Sequence, residues 1–219
     1  MHIPEHNYKF DLKAVTELIR GLSLAPVNEE AVFCGPYENV QEILQQEFGI
    51  TTSDDIKSTL ATYGLGPCTS ILGYGDIQDL TTGSPLTIGF LTHLQPTTNI
   101  DITFGILLYN LLRLTKRQPI CFQSRIVGGL RGMSEKRVEQ LRRKLTIPLR
   151  KDITFNLVEE KVLGRKSIDA VLDVKNRQVY YNYDPLQNPF RRELLEQWKM
   201  GVIYHCKTPS LVYFPSNLQ

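Results

Sequence analysis

Long apolar runs are missing from this chain. No stretch of about 18 uninterrupted apolar residues occurs, so no segment reads as a transmembrane helix. The longest apolar patch, Phe104–Leu112, is broken by Gly105 and Asn110. The opening segment Met1–Asp11 is polar and lacks the apolar centre of a signal peptide. Cysteine is scarce: the four (Cys34, Cys68, Cys121, Cys206) are far apart and never form a C-x-x-C pair. A disulfide framework or a zinc site is therefore not expected, and a reducing compartment fits best. The expected location is the cytoplasm, with export by a route that needs no signal peptide left open. An excess of one charge is also lacking. The 25 basic and 23 acidic residues leave +2, with no basic tract to follow a phosphate backbone. Nucleic acid is not an expected partner.

What is present reads as an ordinary globule: 219 residues, 42% hydrophobic and 22% charged. Such a chain buries enough apolar surface to fold without a metal or disulfide staple. Apolar spacing predicts helices over Leu12–Leu22, with Asp11 as cap, and over Glu38–Phe48, with Val40, Ile43 and Leu44 on one face and Gly49 as a stop. Strands are expected over Ser58–Tyr63, Thr69–Tyr74 and Leu86–Leu94, then a deeply buried helix over Ile100–Leu114. A strand Pro119–Val127, ended by Gly128-Gly129, precedes a charged amphipathic helix Ser134–Leu145. Strands Ile153–Val158, Ser167–Val174 and Gln178–Tyr183 follow, the last two joined by a hairpin at Lys175-Asn176-Arg177. The tail suggests a helix over Phe190–Met200 and strands at Val202–Tyr204 and Leu211–Phe214. This order predicts an α+β fold, a layered sandwich in which a mixed, mostly antiparallel sheet packs with helices. The expected division is an N-terminal helical extension (1–56), a core (57–185) and a C-terminal extension that packs on it (186–219).

The most unusual local sequence is Thr62-Tyr63-Gly64-Leu65-Gly66-Pro67-Cys68, set between two apolar segments. Gly64 and Gly66 permit positive φ, and Pro67 fixes the approach to Cys68. Such a turn presents a thiol at an element edge, and its amides, those of Cys68 and Gly66, are suited to hold an oxyanion. Against this, most free cysteines are small buried hydrophobes, and Cys121, in an apolar strand, reads as core. A nucleophilic thiol needs a base. His93, at the C-terminal end of the expected strand, is the best placed of the four histidines. His2 and His6 read as solvated. His205 beside Cys206 would point to the opposite face of a strand.

The pattern Thr62-x-Gly-Leu-Gly-x-Cys68, followed by an apolar strand, resembles the signature of the bacterial chemoreceptor glutamine deamidases, the CheD family. Ile88-Gly89-Phe90-Leu91-Thr92-His93 is similar to the family's strand ending in the catalytic His. Arg125-Ile126-Val127-Gly128-Gly129 resembles a later strand ending in Gly-Gly, and Ser167–Tyr183 its final hairpin. The resemblance runs from Lys57 to Tyr183 and implies a CheD-like core. It departs at Pro67, where the family has Ser, at a longer Cys-to-His connection containing Gly75–Pro85, and at Leu94-Gln95-Pro96, where the family has Leu-Pro. The same architecture occurs in toxins of the cytotoxic necrotizing factor type, so a secreted effector is an alternative setting.

The resemblance implies a Cys68 nucleophile, a His93 base and an orienting Thr62. The substrate would be a protein presenting an accessible Gln, with no metal or cofactor needed and no membrane insertion. A regulatory protein partner is a further expectation. Segments Gly75–Pro85 and Gln95–Asn99 are candidate substrate walls, and Gly128 and Gly129 candidate substrate contacts. The surface around Arg131, Arg142 and Arg143 reads as a solvated helix face. Two other readings stand beside this one: another thiol amidase or protease, and a non-catalytic binding module of the same fold.

Overall fold

A computed structural model describes residues 32–147, 150–190 and 208–215. The helix expected over Leu12–Leu22 and the strand over Val202–Tyr204 lie outside these residues, as does all of Phe190–Met200 after Phe190. The described residues form two sheets. The larger has six strands in the order β10 (Ser210–Tyr213), β2 (Glu47–Thr52), β5 (Pro85–His93), β4 (Thr69–Gln78), β6 (Ile120–Leu130), β7 (Ile153–Gly164). The smaller has four, in the order β1 (Val40–Glu42), β3 (Thr59–Leu65), β8 (Ile168–Asp173), β9 (Gln178–Tyr180). Five neighbouring pairs are antiparallel and three, β1–β3, β10–β2 and β6–β7, are parallel. Two helices, α1 (Ile100–Leu114) and α2 (Glu135–Thr146), complete an α+β sandwich of the kind expected.

Strand alternation sorts the large sheet's side chains between two cores. One face carries Ile71, Ile88, Phe90 and Phe122 against Phe104, Leu107 and Leu111 of α1 and Leu141 of α2. Helix α1 forms because its apolar residues recur at helical spacing and the Asn99 side chain caps it, accepting from Ile102 N–H at 3.1 Å. The other face carries Leu72, Leu91 and Val127 against Leu60, Leu65, Ala170 and Leu172 of the smaller sheet. That seam between the sheets is where Cys68 packs.

The region read as a helix over Glu38–Phe48 is instead a single 3-10 turn (Tyr37–Asn39), strand β1, a tight connection and strand β2. Val40, Ile43 and Leu44 are all buried, but Val40 sits in β1 and Ile43 and Leu44 in the connection that follows, not along a helix face. Pairing decides this: β2 runs antiparallel to β5 from Glu47↔His93 to Thr52↔Ile88, and its own Ile50-Thr51-Thr52 is β-branched. The expected boundary at 56/57 therefore cuts through the core, since β1 and β2 belong to different sheets on its N-terminal side. Strand β10, beyond 185/186, is likewise part of the large sheet. Two smaller corrections follow. Strand β6 continues through Gly128-Gly129 to Leu130, and Cys121 is exposed rather than core.

Phe90 is fully buried at the centre of the helix-side core, with ring centroids 5.2 Å from Phe122 and 5.9 Å from Phe155. Replacing it by Ala should cost about 3–5 kcal/mol, read as a lower urea midpoint with unchanged slope. A cost below about 1 kcal/mol would contradict this packing.

Candidate active site

Three elements bring the sequence-derived residues to the seam. Thr62 lies on β3, with its side chain on the inner face alongside Leu60. Between Thr62 and Leu65 the pairing with β8 slips by one, because Tyr63-Gly64 is a bulge with Gly64 at φ +69°. The slip turns Leu65 inward as well and sends the chain out to the Cys68 turn. His93 ends β5. The pairs Leu72↔Leu91 and Thr69↔Leu94 on the β4 side set His93 opposite Ser70. Cys68 lies two residues before Ser70, and so sits diagonally from His93 on the same side of the sheet.

The hydrogen bonds assign the imidazole's state. Thr62 Oγ1 lies 2.7 Å from the Ile43 carbonyl oxygen and 2.7 Å from His93 Nδ1. A carbonyl only accepts, so the hydroxyl proton goes to Ile43, and Thr62 must accept from Nδ1–H. The lone pair is then on Nε2, which is buried and has no hydrogen-bond partner. His93 is 3% exposed, and burial pulls its pKa down to about 4, opposed only by the Ile43 carbonyl. The ring is neutral at physiological pH, with its basic nitrogen free.

Cys68 is also 3% exposed. Burial raises its thiol pKa, while the Gln45 amide and the positive charge of Arg137 act in the other direction. The Gln45 side chain donates from Nε2 to Sγ at 3.6 Å. No hydrogen bond joins Sγ to the imidazole, whose Nε2 is unpaired. The pair at rest is therefore a thiol and a neutral base, not a preformed ion pair.

The turn's amides are arranged differently from expectation. Gly66 N–H is spent on the Gly64 carbonyl at 2.8 Å, and Gly64 N–H on Asp169 Oδ1 at 2.7 Å. Neither is free for an oxyanion; of the two donors considered, the Cys68 amide remains. Gly128 and Gly129, the candidate substrate contacts, pack against the carbonyl of Cys68. Gly129 N–H donates to the Cys68 carbonyl at 2.7 Å, and a Cβ on Gly128 (φ +88°) would lie 2.6 Å from that same oxygen. Ser134, at the start of α2, gives its hydroxyl proton to the Pro67 carbonyl at 3.1 Å rather than capping its helix.

The two expected substrate walls separate. Gly75–Pro85 forms the far end of the β4–β5 hairpin. Ten residues of strand at about 3.3 Å each place its tip roughly 30 Å from the Cys68 end. It does not wall the site. The segment after His93 does stay close. Arg137 Nη1 donates to Thr98 O at 2.5 Å, and Nη2 donates to Gln95 O. A hollow of about 520 Å³ opens beyond this clamp, lined by Thr98, Asn99, Arg137, Gln140, Arg143 and Lys144 among others. Cys68 and His93 do not line it.

Gln45, Asp169, Ser134 and Arg137 carry no sequence signal of their own. Gln45 was hidden in the supposed helix, and Arg137 on a charged face that reads as solvated. Arg142 and Arg143 of that face are ion-paired, with Glu160 at 2.6 Å and Glu139 at 3.2 Å. Among the described residues no group of three or more His, Cys, Asp or Glu is placed to hold a metal. No helix among them is long and apolar enough to cross a membrane. No family model matches the sequence, and no significantly similar curated protein is found.

The pKa of His93 yields a pH dependence with a defined sign. The unfolded ring binds a proton below about pH 6.5, whereas the folded ring does so only near 4. Between these values the unfolded state takes up more protons, so stability is fully present above pH 6.5 and falls as pH is lowered toward 4. The contribution is roughly 3 kcal/mol. Urea midpoints measured from pH 7 to 4 should fall more steeply for wild type than for His93→Gln. Parallel slopes would show that the ring is not held neutral.

Proposed function

We propose that this chain is a cysteine-dependent amidohydrolase that converts a glutamine side chain of a target protein to glutamate. One observation carries the reading: the Thr62–His93 hydrogen bond fixes the imidazole with a bare, unpartnered Nε2 in the same seam as Cys68. The resemblance of Thr62–Cys68, Ile88–His93 and Arg125–Gly129 to the CheD deamidases supports it. The two settings this resemblance suggests, within a bacterium or inside a host cell, differ in substrate and not in chemistry.

The chemistry follows from the resting state. Nε2 of His93 takes the Sγ proton as sulfur attacks the carboxamide carbon. The C–S bond forms, the carbonyl π pair moves to oxygen, and the imidazole becomes imidazolium. Collapse of the adduct restores the carbonyl and breaks the C–N bond. The departing nitrogen takes the proton from Nε2 and leaves as ammonia. Water, deprotonated by the same nitrogen, then adds to the thioester. Loss of the thiolate, reprotonated by the imidazolium, leaves a carboxylic acid that ionises to glutamate. Thr62, which holds Nδ1–H, keeps the ring from turning and aims Nε2 throughout. Substrate entry must turn the half-buried Gln45 side chain off the sulfur it touches.

A second reading has its own support. Cys68 packs among Ile43, Leu65, Leu91 and Val127, as a core cysteine of a non-catalytic binding module would. Function separates the two. Cell lysate incubated with the purified chain should release ammonia and show Gln-to-Glu mass changes confined to particular sites. Cys68→Ser should abolish both. His93→Ala should slow them by about 10²–10⁴-fold, and Thr62→Val by about 10²-fold through misaimed imidazole. New peptide termini without deamidation would indicate a protease. No change with the wild-type chain would favour the binding module.

A further inference from the structure

We infer that the Gln45 side-chain amide is an oxyanion donor of the Cys68 site, working beside the Cys68 main-chain N–H. The inference rests on the amidohydrolase reading and adds to it a residue that no motif points to. An addition adduct carries its negative oxygen on the carbon bonded to sulfur. A donor already facing the sulfur is therefore within one bond's reach of that oxygen. Gln45 Nε2 faces Sγ at 3.6 Å. The amides first suited to this task are consumed, Gly66 N–H by Gly64 O and Gly64 N–H by Asp169. Without another donor the adduct would have the Cys68 amide alone, whereas acyl-transfer sites stabilise the oxyanion with preorganised pairs.

Preorganisation is visible in the backbone that carries Gln45. The connection from β1 to β2 is fastened at every residue around it. Ile43 N–H donates to Ala61 O at 2.8 Å, Leu44 N–H to Glu47 Oε2 at 2.8 Å, and Gln46 N–H to His93 O at 2.9 Å. The Gln46 carbonyl accepts from Ser210 N–H at 2.8 Å. Gln46 itself sits at φ +61°, a conformation that a non-glycine residue holds only when its surroundings impose it. Gln45 is thus a partly exposed side chain on an immobile base. Its amide can swing from sulfur to oxygen without moving the main chain.

The test uses the purified full chain, Gln45→Ala and Gln45→Met, with cell lysate as substrate and iodoacetamide as a thiol probe. Gln45→Met is similar in length, uncharged and lacks the N–H, so it carries the test if the truncation unfolds. Either variant should lower the initial rate of Gln-to-Glu conversion by about 10²–10³-fold. Alkylation of Cys68 should fall far less, by no more than about tenfold, because it forms no oxyanion and loses only the Gln45 hydrogen bond to sulfur. Conversion by both variants at the wild-type rate overturns the role of Gln45 and leaves the deamidase reading intact. Parallel losses of conversion and alkylation also overturn it, since Gln45 would then serve the thiol itself. No conversion by wild type removes both readings together.

Discussion

A single hydroxyl group joins the two sheets of this protein where it matters most. Thr62, on the smaller sheet, passes its proton to the Ile43 carbonyl and turns its lone pair to His93, on the larger. Everything proposed about the site depends on that direction of donation. Reverse it, and the imidazole presents an N–H instead of a base. The direction is enforced by simple chemistry, because a carbonyl has no proton to give. Ile43 therefore shapes the site through its backbone, and its identity as an isoleucine matters chiefly for the packing of the seam.

Placing the pair in a seam between sheets has an electrostatic consequence. Burial disfavours charge on both partners, raising the thiol's pKa and lowering the imidazole's. A thiolate–imidazolium pair would be poorly solvated here at rest. In the proposed reaction proton transfer is therefore coupled to attack, and the surroundings contribute only partial relief: an amide at the sulfur and the charge of Arg137 nearby. Arg137 has a second task, since its guanidinium gathers the carbonyls of Gln95 and Thr98. The chain leaving His93 toward α1 is thereby tied to α2.

The strands after Lys57, both helices and the unusual turn before Cys68 were legible because each leaves a local mark: alternation, a 3.6-residue period, or two glycines and a proline before a thiol; His93 was noticed by its place at a strand end, and Thr62 only through the resemblance. The stretch from Val40 to Phe48 was not. Val40, Ile43 and Leu44 mimic a helical stripe, yet their burial comes from two different sheets, and long-range pairing with β3 and β5 overrode the local pattern. The donors of the Cys68 turn were misjudged for a similar reason. Whether Gly64 and Gly66 amides are free depends on Asp169, over a hundred positions away, and on the curl of the turn itself. Gln45 and Arg137 acquire meaning only through neighbours that are distant in sequence.

Strand β10 lies parallel to β2, and Ser210 N–H holds the carbonyl of Gln46, so the connection that faces the thiol is fastened from one side by a segment distant in sequence. Register at that edge is thereby shared: a slip of β10 along β2 would release the Gln46 carbonyl and loosen the turn beside the sulfur, so an outermost strand governs how firmly the candidate site is held.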